Sequence, residues 1–163
     1  MRTLVALIIA SVLSSGVHAA DWRSIKPAVT TEAELIAAFG PPDEVLSTFP
    51  WAEWSATWKK RPAVSHYTLR YTVQGSKSEL LVGPGGPADD AEVHVAAGRV
   101  QAVEWHYGGP SARAAGQQLR ADPTMTFGPT GSVSQASSLA PDGVIFAELG
   151  PNDTRVEVRL ELK

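Results

Sequence analysis

Apolar and polar residues alternate most regularly near the end of the chain. Val156, Val158, Leu160 and Leu162 interleave there with Arg155, Glu157, Arg159 and Glu161. A period of two puts the first set on one face of a strand and the second on the other, so 154–162 is expected to be a strand with one buried and one wet face. Residues 144–149 precede it across Gly150-Pro151-Asn152-Asp153, which predicts a hairpin. From His66 to Val73, Tyr67, Leu69, Tyr71 and Val73 face one way and His66, Thr68, Arg70 and Thr72 the other. A turn at 74–77 leads to a returning strand over 79–82, and 83–90 reads as a loop. Residues 92–96 and 99–107 flank Ala97-Gly98 and predict a second hairpin. Trp54, Ala56 and Trp58 alternate with Ser55, Thr57 and Lys59, another strand pattern; Trp51, Trp54 and Trp58 also fit helical spacing, but Pro62 and the Thr/Trp content favour the strand.

The helical period is clearest after Thr31. Thr31 and Glu34 have the spacing of a capping box, and Leu35, Ile36 and Phe39 form an apolar stripe. Gly40 suits the left-handed residue after a helix, and Pro41-Pro42 forbid its continuation. So short a helix needs a surface to pack on. Ser111 can cap a second helix to about Arg120, and 122–141, rich in Gly, Ser, Thr and Pro, reads as irregular. Two helices with six or seven strands predict an α+β fold, short helices packed on one face of an antiparallel β-sheet.

The first residues change the picture. Arg2, the apolar run Leu4–Leu13 and Val17-His18-Ala19 have the order of a secretory signal, with cleavage expected after Ala19. Ten apolar residues as a helix reach about 15 Å, half a bilayer core, so a membrane anchor fits poorly. The expected organisation is a signal peptide over 1–19 and one α+β domain over 20–163, in a periplasmic or secreted protein. The 163 residues, with 19% charged, exclude a disordered or supercharged chain, and 14 Gly and 12 Pro without a triplet period exclude collagen. A net charge of −3 gives no basic excess for nucleic acid. The absence of Cys removes disulfides, thiolate zinc sites, thiol nucleophiles and a lipid anchor.

The capped helix Thr31–Phe39 with its Gly40-Pro41-Pro42 stop comes first. A Trp-rich strand, an amphipathic strand and a hairpin closing on Gly98-Arg99-Val100 follow. Over residues 31–107 this order resembles the SmpA/OmlA family, small outer-membrane lipoproteins of the β-barrel assembly machinery. It is also similar in layout to the β-lactamase inhibitor proteins. Members of the first family begin at a lipidated Cys, which this chain does not contain. The resemblance implies a helix-then-sheet unit and a role in binding another protein of the envelope.

No catalytic set stands out. His66, His94 and His106 fall on polar strand faces. If the Ala97-Gly98 turn pairs Val95 with Val100 and His94 with Gln101, His106 lies about 17 Å further on, so these imidazoles do not share an ion and no metal or cofactor is expected. They read as solvated or singly hydrogen-bonded. Asp43/Glu44 and Asp89/Asp90 suit turns and caps better than acid–base catalysis. The 83–87 loop lacks the Lys of a phosphate loop, and its prolines remove donors. Of five Trp, Trp54, Trp58 and Trp105 suit a core, whereas Trp22 and Trp51 sit beside breakers and, with Phe49, are the candidate binding residues. These features predict a non-catalytic protein–protein interaction module of inhibitor, immunity or envelope-assembly type. The alternative is a small-ligand-binding protein or hydrolase using a polar sheet face with His66, Arg70 or His94. An exposed aromatic patch favours the first, and a cleft with convergent titratable groups favours the second.

Overall fold

A computed structural model describes residues 20–47, 66–75, 77–127, 133–136 and 143–162. The signal segment, Phe49, Trp51 and the strand expected at Trp54–Lys59 lie outside the described residues. Helices α1 (Glu32–Phe39) and α2 (Gly109–Ala121) accompany eight strands of one sheet. These are β1 (Glu44–Ser47), β2 (His66–Thr72), β3 (Asp90–Ala96), β4 (Arg99–Gly108), β5 (Thr126–Phe127), β6 (Val133–Ala136), β7 (Gly143–Leu149) and β8 (Arg155–Leu162). The order across the sheet is β1-β2-β3-β4-β8-β7-β6-β5, and every ladder is antiparallel. The fold is α+β, with helices on one face of an antiparallel sheet.

Side-chain alternation explains the layering. Leu69, Val93, Val103, Leu160 and Ile145 form one buried row across five strands, and Tyr71, Ala91, Trp105, Val158 and Ala147 form the next. The helices cover these rows: α1 contributes Leu35 and Phe39, and α2 contributes Ala112, Ala115 and Leu119. The expected capping box holds α1, with the Thr31 hydroxyl accepting from Glu34 N–H at 3.2 Å and Glu34 Oε2 accepting from Thr31 N–H at 2.8 Å. Gly40 follows at φ 86.

Three local expectations need correction. Residues 79–81 form a 3₁₀ turn rather than a strand, because the Ser78 hydroxyl caps it by accepting from Leu80 N–H. Helix α2 begins before Ser111. Gly108 is its cap residue, and Asp89 Oδ2 accepts from Gly108 N–H at 2.6 Å and from the Ser111 hydroxyl at 3.0 Å. Within the stretch expected to be irregular, β5 and β6 add strands to the edge beyond β7. The last strand joins the same sheet as the hairpin before α2: β8 pairs with β4 from Arg155↔Gly108 to Glu161↔Ala102.

The 83–87 loop is a tight hairpin, Val82–Gly83 against Gly86–Pro87. Its glycines have a packing reason. A Cβ on Gly83 would come within 2.7 Å of the Trp105 ring, and Gly85 N–H donates to the Tyr107 hydroxyl at 3.1 Å. Trp105 Nε1–H donates to Leu80 O at 2.7 Å, which completes the seat.

Candidate functional site

The sheet face away from the helices carries the chemistry. The Ala97-Gly98 turn has positive φ at both residues, 52° and 69°, the geometry of a type I′ hairpin. It pairs Val95 with Val100 as expected, but a bulge follows between His94 and Val95 and makes Gln101 the extra residue. His94 therefore lies opposite Ala102 rather than Gln101, Glu92 opposite Glu104 and Asp90 opposite His106. One polar row then crosses the sheet: Glu44, Arg70, Glu92, Glu104, Arg159 and the aromatic Phe146.

These groups converge. The Arg70 guanidinium reaches Glu44 at 3.7 Å, Asp90 at 3.4 Å and Glu92 at 3.7 Å. Arg159 pairs with Glu104 Oε1, while Glu104 Oε2 lies 3.5 Å from His94 Nε2 and 3.9 Å from His106 Nε2. His106 Nδ1 is hydrogen-bonded to Asp90 Oδ1 at 2.5 Å. His94 Nδ1 is 3.2 Å from the Thr68 hydroxyl. The face is sheltered: the side chains of His94 and Glu104 are only 7% and 15% exposed. Of the two expected states, solvated or singly hydrogen-bonded, His94 is not the solvated one: its ring is buried and hydrogen-bonded to Thr68, with Glu104 beside it.

Burial pushes the Asp90 carboxyl up, but the His106 hydrogen bond and charge, with Arg70, outweigh it and hold Asp90 below the usual range. Glu104 is likewise raised by burial and lowered further by His94, Arg159 and His106, so it too ends low. The Asp90 hydrogen bond outweighs burial at His106 and raises that imidazole, helped by the charges of Asp90, Glu92 and Glu104. At the far end of β2, burial and then the hydrogen bond to Glu32 push Tyr67 up to about 12.

Two triads place their ligating atoms within 4.8 Å of one another: Asp90, Glu92 and His106; and Glu92, His94 and Glu104. They share Glu92, and neither contains both histidines. A recess of about 130 Å³ beside them is lined by Glu104, Phe146, Glu148, Glu157 and Arg159.

The candidate binding residues fare differently. Trp22 is 3% exposed and packs on Trp105, with Arg23 stacked 4.6 Å from its ring centroid, so it is a core residue rather than an exposed anchor. The reason is local: Asp21 caps a 3₁₀ turn over Trp22–Ser24, which rolls the indole inward. Asp89 caps a helix and Asp43 accepts from Thr72 N–H, as expected of turn acids, whereas Asp90 joins the imidazole cluster. Large aliphatic side chains exposed among the described residues include Val45 and Leu46 on the edge strand β1.

The residues missed from sequence are Asp90, Glu92, Glu104, His106 as an ion-paired group, and Arg159. A signal for them existed. An unbulged register sets Glu92 against Val103 and Ala91 against Glu104, mixing faces; one extra residue after the turn restores apolar against apolar. No protein-family model, curated protein or solved structure matches this chain.

Proposed function

We propose that the chain is a non-catalytic interaction module of the periplasm or of the secreted proteins, of inhibitor, immunity or envelope-assembly-accessory type. Its partner is another envelope or secreted protein, engaged along β1. The observation that carries this reading is the state of that edge. β1 pairs only with β2 among the described strands, and its consecutive residues Val45 and Leu46 are 62% and 39% exposed on opposite faces. An edge strand with apolar side chains and outward backbone groups is a template for an extended segment of a partner. Phe49 and Trp51 follow it directly in sequence and supply aromatic anchors of the kind that dominate interfaces. The helix-then-sheet order over 31–107, with its resemblance to SmpA/OmlA proteins, and the signal-like N-terminus support the same reading.

Site-specific photo-crosslinking tests it. A photoreactive side chain at Val45 or Leu46, in cells that export the protein, is expected to trap one protein species. The same group at Arg113, exposed on α2, is expected to trap none. Absence of a crosslink at β1, or an identical pattern at Arg113, overturns the proposal.

A further inference from the structure

We propose that Glu92, His94 and Glu104 form a zinc-binding site on the polar face of the sheet. This goes beyond the interaction role of β1 and does not depend on it.

The separation of His94 and Glu104 suits two ligands of one ion. His94 Nε2 and Glu104 Oε2 are 3.5 Å apart, too long for a charge-assisted hydrogen bond. Two ligands of one tetrahedral ion with bonds of about 2.1 Å stand roughly 3.4 Å apart. The other triad fails this test. Asp90 and His106 already meet at 2.5 Å, a hydrogen-bond separation that leaves no room for an ion between them.

His94 is also held as a metal-binding imidazole is held. Its Nδ1 is fixed by the Thr68 hydroxyl on the neighbouring strand, which leaves Nε2 toward Glu104, and one ligand atom from each of Glu92, His94 and Glu104 lies within 4.8 Å of the other two. Such an outer hydrogen bond sets the tautomer and aim of a ligating histidine. Arg159 does not occupy the same Glu104 oxygen, since it takes Oε1 and Oε2 faces the His94 imidazole, while Arg70 lies 3.7 Å from Glu92 Oε1.

Charge points the same way. Glu92 and Glu104 stand directly opposite each other on β3 and β4, an arrangement that costs stability between like charges. Among the described residues of this face, the carboxylates of Glu44, Asp90, Glu92, Glu104, Glu148, Glu157 and Glu161 outnumber the guanidiniums of Arg70, Arg99, Arg155 and Arg159. The field therefore draws cations. One imidazole with two carboxylates selects zinc over magnesium or calcium, which prefer oxygen ligands throughout.

Calorimetric titration of the purified, chelator-treated chain with zinc chloride tests the site. One ion per chain is expected, with a dissociation constant of about 1 μM or tighter. His94→Gln and Glu104→Gln are each expected to weaken binding at least tenfold, and Thr68→Val by about tenfold through the lost outer hydrogen bond. His66→Gln, an imidazole on β2 outside both triads, is expected to change it less than about threefold. Magnesium chloride at the same concentrations is expected to give no binding heat. If far-UV circular dichroism shows that His94→Gln does not fold, Glu92→Gln and Thr68→Val decide. No zinc binding at about 1 mM, or a loss in His66→Gln equal to that in the triad variants, overturns the proposal.

Discussion

Trp22 meets Trp105 edge to face, with ring centroids 5.8 Å apart and planes inclined at 68°. The contact ties the first described segment to the centre of the sheet. Trp105 is itself fully buried and anchored through its Nε1–H to Leu80 O. Removing the Trp22 indole empties a large volume beside a rigid neighbour. Trp22→Ala is therefore expected to cost about 3–5 kcal/mol. Urea denaturation should show a lower midpoint at unchanged slope.

Gly83 lies against the same ring. A Cβ there would meet the Tyr107 hydroxyl at 2.6 Å and the Trp105 indole at 2.7 Å, and neither neighbour is a flexible chain end. Gly83→Ala is expected to destabilise by about 1–3 kcal/mol, the usual cost of overpacking. The near-ultraviolet dichroism of the indole should change with it.

The Ala97-Gly98 turn offers an opposite sign. Ala97 holds a left-handed conformation, φ 52°, that a side chain with a Cβ adopts at a cost. Ala97→Asn creates the pair favoured in type I′ turns and is expected to stabilise by roughly 0.5–1 kcal/mol. A rise in thermal midpoint checks it, and Gly98→Ala should lower that midpoint.

Acid exposes the capping box. The backbone N–H and then the hydroxyl of Thr31 hold Glu34 below its usual 4.5. A depressed carboxylate contributes stability that is present above the unfolded value and is lost as pH falls through the folded one. The loss belongs below about pH 4.5. Glu34→Gln should flatten that part of the stability–pH curve and leave its slope near neutrality unchanged.

Features written in adjacent residues were legible from sequence. Thr31 and Glu34 are three apart, Gly40 ends the helix, and β8 alternates without interruption, so α1 and the final strand could be placed. The Ala97-Gly98 turn was legible for the same reason. The polar cluster was not, because it depends on one residue, Gln101, being squeezed out of the ladder. A single bulge moves His94 from Gln101 to Ala102 and sets Glu92 against Glu104. Spacing between histidines shows nothing of the carboxylates that the ladder sets beside His94 and His106. Trp22 was misplaced because a nearby proline suggested a loop, while Asp21 capped a turn that points inward. Strands β5 and β6 have no strong alternation, and their partner across the ladder supplies what their own residues do not.

The strand order has a consequence for how the chain assembles. β3–β4 and β7–β8 are each closed by a short connection, with Ala96 facing Arg99 and Leu149 facing Val156. Such hairpins form in about 1–10 μs. The seam between β4 and β8 instead brings Gly108 to Arg155, with α2 and the strands β5, β6 and β7 lying between them in the chain. Closing so long a loop loses more entropy before any contact is gained. The two hairpins are thus expected to form before the seam between them, which closes last along the line where Trp105 meets Val158.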